Sequence, residues 1–143
     1  MSIIEQIQAD EREAMKAGDR GRASALRLVV DALQQDAKLG KGDDVAVLQR
    51  ERKKRLEAAE AFREGGRAEQ AEAEQAEAEL IEAYLPEQLS DEELAGLVAD
   101  AVEETGATEQ RQMGQVMSAV MPKVAGRADG KRVSEAVRER LGA

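Results

Sequence analysis

The sequence predicts an all-α protein, and three observations carry that expectation. Among 143 residues there are one Phe and one Tyr, Phe62 and Tyr84, so the strand-favouring aromatics are nearly missing. Ala, Glu, Leu, Val and Arg dominate, a mixture that favours helices by intrinsic preference. Apolar residues recur every three or four positions, and capping residues stand where those runs begin. A chain of this length buries one moderate core or two small ones, built here from Leu, Ile, Val, Met and Ala.

Ser2 and Glu5 have capping-box spacing, and Ile3, Ile4, Ile7 and Met15 mark a first helix. Gly18 suits its end, and Asp19 suits the start of the next. Ala23, Leu26, Val29, Val30, Leu33 and Ala37 follow and are expected to centre an N-terminal core. Asp43 or Asp44 opens a third helix through Val45, Leu48, Leu56, Ala59 and Phe62, ended by Gly65 and Gly66. A fourth, from about 68 to 85, alternates Ala with Glu and Gln. It is expected to fray at its start, with Leu80, Ile81, Tyr84 and Leu85 anchoring the far end.

Pro86 stops that helix, and 86–89 is the expected linker between two subdomains. Ser90 and Glu93 form a second capping box, with acids in the first turn as the helix dipole prefers. Leu94, Leu97, Val98, Ala101 and Val102 then face a core, and Gly106 closes the helix. A sixth helix runs from about 109 or 112 to 123, with a bend at Pro122. Asp129 caps a seventh, whose stripe is Val133, Val137 and Leu141. The expected organisation is a four-helix N-terminal subdomain, residues 1–86, followed by a three-helix C-terminal subdomain, residues 87–143.

There is no Cys and no His, which removes disulfides, thiolate chemistry and the commonest general base and metal ligand. No serine stands out as a nucleophile: Ser2 and Ser90 sit at caps, and Ser24, Ser118 and Ser134 lie within helices. Adjacent carboxylates such as Glu92/Glu93 diverge by about 100° on a helix, so they do not converge on a reacting atom. No catalytic residue, metal or cofactor is expected. The N-terminus turns acidic by Asp10 without a signal-like apolar run, and no stretch reaches the ~20 apolar residues of a membrane span. A cytoplasmic protein with no membrane partner is expected.

The net charge of −9 is segregated. Residues 68–110 carry 14 acidic groups and no basic one, whereas residues 111–143 carry 7 basic and 3 acidic groups. Such a chain does not coat DNA or other nucleic acid indiscriminately; RNA would have to meet its basic end. Arg50-Glu-Arg-Lys-Lys-Arg55 is the densest basic run. It reads either as an RNA contact or as charge balance for the acidic helix that follows.

The most distinctive stretch is 113–132. Met113, Val116, Met117, Val120 and Val124 form an apolar stripe, while Gly114, Ser118 and Pro122 form a separate strip of small residues. A helical glycine costs about 1 kcal/mol relative to alanine, so something must approach it closely. That partner is either a neighbouring helix or an RNA backbone. The methionines are read as core filling, with a peptide groove as the alternative. Downstream, Lys123, Arg127, Lys131 and Arg132 surround Gly126 and Gly130. The segment fails the spacing of a nucleotide-binding P-loop, yet its backbone N–H groups and the following helix start suit an RNA phosphate.

Two groups of residues carry a resemblance to a known family. These are Tyr84-Leu-Pro-Glu-Gln-Leu-Ser90, and the set Met113, Gly114, Met117, Met121, Gly126, Ala128 and Asp129. With them the chain resembles the GatB/YqeY family, which comprises the tail of the GatB component of the tRNA-dependent amidotransferase and its free-standing relatives. The resemblance runs from near Met1 to about Leu141. Ser118 stands where that family is expected to have a second glycine, and Ala125 where a basic residue is common. The resemblance implies the four-plus-three helical fold and a tRNA-binding accessory protein that recognises shape and backbone. On this view Lys123, Arg127, Lys131 and Arg132 meet phosphates, and Gly114, Ser118, Gly126 and Gly130 permit close approach. An aminoacyl-tRNA synthetase or amidotransferase subunit is a further implied partner. Two other readings stay open: a partner subunit in a carbon–nitrogen ligase reaction with glutamine as amido donor, inactive by itself, and a helical protein-docking module.

Overall fold

The computed structural model describes residues 1–142. The described residues hold seven α-helices, one 3-10 turn and no strand. The chain divides into two compact units, Met1–Leu85 and Pro86–Ala143.

The first unit contains α1 (Ile3–Lys16), α2 (Arg20–Lys38), α3 (Asp44–Glu64) and α4 (Ala68–Glu82). Its boundaries follow the caps. The Ser2 hydroxyl accepts from the Glu5 N–H while the Glu5 carboxylate accepts from the Ser2 N–H at 3.1 Å. Asp19 and Asp43 accept from the N–H groups of Arg22 and Ala46, three residues on. The core gathers Ile7, Leu26, Val29, Val30, Leu33, Val47, Leu48 and Ile81.

Two expected core positions are corrected. Met15 is 65% exposed, and Ala14, one residue earlier, takes the buried place. Ala37 is likewise exposed, and its neighbour Asp36 is buried at 5%. Asp36 is tolerated inside because it is satisfied: its carboxylate accepts the Asp43 N–H at 3.2 Å and lies 3.7 Å from Arg50. It thereby fixes the turn that starts α3.

The alternating Ala/Glu helix is regular from Ala68 onward, with Ala71 and Ala78 buried. It forms an antiparallel hairpin with α3, closed by the Gly65–Gly66 turn. The basic run of α3 answers the acids of this unit. Arg52 lies 3.8 Å from Glu82, Arg55 3.6 Å from Glu77, and Arg50 3.7 Å from Asp36, while Lys53 and Lys54 pair with Glu57 and Glu51. Charge balance is therefore the role this run plays in the fold.

Tyr84 donates its phenol hydrogen bond to the Asp10 carboxylate. Burial, then this bond and the carboxylate charge, push the phenol up from 10 to about 12, with Arg22 pulling the other way. Because the folded value is raised, the stabilisation is complete below pH 10 and disappears as pH rises toward 12. This is the only tyrosine in the chain, so ultraviolet titration reads it directly. Ionisation is expected near pH 12 in the native protein and about two units lower in denaturant.

The second unit contains α5 (Asp91–Thr105), a 3-10 turn (Gln110–Gln112), α6 (Met113–Val124) and α7 (Gly130–Gly142). Val98, Val116, Val120, Val124, Val133 and Val137 centre its core, and Met113 and Met117 pack against it. Met121 does not join them and is exposed. The Ser90 N–H, then the Ser90 hydroxyl, hold the Glu93 carboxyl below its ordinary range, so this cap weakens as pH falls through that range.

Ala125, the C-cap of α6, has φ +50, a left-handed conformation in which its Cβ is crowded by its own backbone. Ala125→Gly is expected to raise the stability of this unit by about 1 kcal/mol, measured as a higher urea midpoint at unchanged slope.

Candidate nucleic-acid interface

The segment singled out in the sequence, 113–132, spans the whole of α6, the turn after it and the start of α7. Asp129 caps α7: its carboxylate accepts the Arg132 N–H at 2.8 Å and its carbonyl accepts the Val133 N–H at 3.1 Å. One of the N–H groups that a phosphate would use is therefore occupied by the protein's own anion.

Three of the four expected phosphate partners have internal bonding. Lys123 Nζ donates to Glu104 Oε1 at 2.7 Å, and that hydrogen bond, followed by the carboxylate charge, raises the ammonium above its ordinary range. Arg127 reaches back to the carbonyls of Lys123 and Val124, at 2.9 and 3.1 Å, closing the C-terminal end of α6. Arg132 donates to the Leu89 carbonyl at 3.0 Å and to Asp91 at 2.9 Å. Lys131 is exposed, and its ammonium makes no ion pair or hydrogen bond among the described residues.

These bonds join the two distinctive parts of the sequence. Leu89, buried in the core, donates its N–H to the Arg127 carbonyl at 2.8 Å and accepts from the Arg132 guanidinium. The loop before α7 thus clamps the strip of chain that leads into α5. Such a pairing, across about forty residues, leaves no signal in local spacing.

The small-residue strip lies open. Gly114, Ser118 and Pro122 are exposed, and a Cβ added at Gly114 would meet nothing within 4 Å. Close packing by another helix of its own unit therefore does not account for Gly114. Gly130 begins α7 and also has open space, whereas Gly126 is used for its left-handed backbone at φ +79.

One cation outside the expected set, Arg138, belongs beside Lys131; Arg140, nine residues on from Lys131, lies on the opposite side of α7. Arg138 and Arg140 are exposed, and their guanidinium groups make no ion pair or hydrogen bond among the described residues. Lys131 and Arg138, seven apart, share one side of α7, a spacing visible on a helical wheel. The Gln110 side chain donates to the Arg138 carbonyl at 2.7 Å, which sets the entrance to α6, and hence Gly114, beside the C-terminal end of α7. Among the described residues no helix is long and apolar enough to cross a membrane, and no cluster of acids suits a metal ion.

A protein-family model described as a Yqey-like protein matches residues 4–141. No curated protein matches the chain.

Proposed function

The chain belongs to the YqeY-like family, and on that premise we propose that it is a tRNA-binding accessory protein. In this reading residues 1–86 form a four-helix scaffold, and residues 87–143 form the three-helix part that meets RNA. The observation that supports it best is the free positive charge on one side of α7: Lys131 and Arg138 are exposed and unpaired among the described residues. The open strip at Gly114 and Ser118 adds a place where a sugar–phosphate backbone can come close to a helix. With two aromatic residues in the whole chain, recognition rests on backbone and shape rather than base stacking.

The contact set differs from the one that spacing alone suggests. Lys131 remains, and Arg138 joins it. Lys123 and Arg132 are held by Glu104 and Asp91, and Arg127 closes α6. An ion-paired cation releases few counterions when a phosphate arrives, so it contributes little to the salt dependence.

Filter binding to total tRNA across a series of salt concentrations tests this, beside an unrelated duplex RNA of equal length. Two phosphate contacts give a slope of log K against log salt of about −1.5 to −2. The double variant Lys131→Ala/Arg138→Ala is expected to flatten that slope by about one to two units, while Lys123→Ala leaves it nearly unchanged. An unaltered slope in the double variant, or equal affinity for the unrelated duplex, rejects the reading.

A further inference from the structure

We propose that the first unit carries a docking groove, between α2 and α4, for a cationic amphipathic helix of a partner protein. A cleft of about 570 Å³ opens there. The α4 wall presents Ala73, Ala76, Leu80 and Ala83, spaced three, four and three apart, so they share one face of the helix. The α2 wall presents Gly21 and Ala25, and a Cβ at Gly21 would meet only the Asp19 carboxylate at 3.9 Å. Leu28 continues the Gly21 face of α2 and is 54% exposed. Short side chains thus line both walls, and nothing large from the unit itself fills the space between them.

The charge around the cleft identifies the occupant. Asp19 and Glu79 border it against a single lining cation, Arg22, while Glu77 is paired with Arg55 of α3. The α4 helix has no basic residue, and its exposed Glu69, Glu72 and Glu79 make no ion pair among the described residues. Such a wall repels phosphate, so an RNA backbone is disfavoured here. It attracts a helix with small apolar residues at i, i+3, i+4 and i+7 and with Lys or Arg on the flanks. This inference uses the first unit alone and does not depend on tRNA binding by the second.

The test is amide NMR on the isotope-labelled full chain. The probe is a synthetic helical peptide with an Ala/Leu face flanked by lysines. Controls are the same peptide with glutamate for lysine, and a scrambled peptide of equal charge. The lysine peptide is expected to shift the resonances of Gly21, Ala25, Ala76 and Leu80, and neither control should. Ala76→Arg adds a positive charge to the wall, and Gly21→Leu fills the cleft without altering its charge; both sites are open, so folding persists and circular dichroism confirms it. Each variant is expected to weaken peptide binding about tenfold or more. The proposal is overturned if both variants bind like the parent, if the scrambled or glutamate peptide binds equally well, or if the shifts lie elsewhere. It is equally overturned if tRNA, or self-association of the chain, moves the same resonances instead.

Discussion

Leu33→Ala is expected to destabilise the first unit by about 2–5 kcal/mol. Leu33 is fully buried within a core that also holds Leu26, Val29, Leu48 and Ile81. Removing its branched end forfeits the transfer free energy and leaves a void that rigid helices fill only in part. A unit of this size has a total stability of roughly 4–13 kcal/mol, so the loss is a large fraction of the whole. Thermal unfolding followed by circular dichroism should show a fall of about 10 °C or more. The matched control is Leu28→Ala on the same helix. Leu28 is already largely in water, and its truncation should change stability by no more than about 0.5 kcal/mol.

Arg132→Ala is expected to destabilise the second unit by about 1–3 kcal/mol without altering the salt dependence of tRNA binding. The guanidinium bonds a backbone carbonyl and a carboxylate together, at 3.0 and 2.9 Å. Losing it leaves the half-buried Leu89 carbonyl without that donor and Asp91 without its cation. Arg132→Lys separates the two roles open to this residue. A phosphate contact needs only positive charge, which lysine keeps, whereas the clamp needs the two N–H groups of Nη2 held by a planar guanidinium toward both acceptors, a geometry the shorter, freely rotating ammonium does not hold. Both variants are therefore expected to lower the urea midpoint, and neither should flatten the salt slope. A lysine variant as stable as the parent, or a flatter slope in the alanine variant, would return Arg132 to the phosphate-binding set.

Much of the fold was legible because helix boundaries are written locally. Ser2 with Glu5, Asp19, Asp43, and Ser90 with Glu93 are caps three residues from their partners, and each does what its spacing implies. The stripe of Val116, Val120 and Val124 is buried for the same reason: it depends on helical period alone. The candidate site was less legible. Lys123 and Arg132 find acids 19 and 41 residues away, on a helix whose placement the periodicity of the segment does not encode. Asp36 shows the same limit in the first core: an acid at an apolar period reads as surface until the Asp43 N–H and Arg50 are seen beside it. Gly114 was the reverse case. Its spacing suited either a neighbouring helix or an RNA backbone, and the open space around it removes close packing by a helix of its own unit.

The α3–α4 hairpin is held differently along its length. Near Leu48 and Ile81 it shares the branched side chains of the core, whereas toward Gly65 and Gly66 its buried members are alanines such as Ala59 and Ala71. A methyl group buries little area, so each contact out there contributes less than a leucine or isoleucine does. Between the two ends stands the Arg55–Glu77 pair, partly buried and so little screened by electrolyte. Stiffness therefore declines from root to tip.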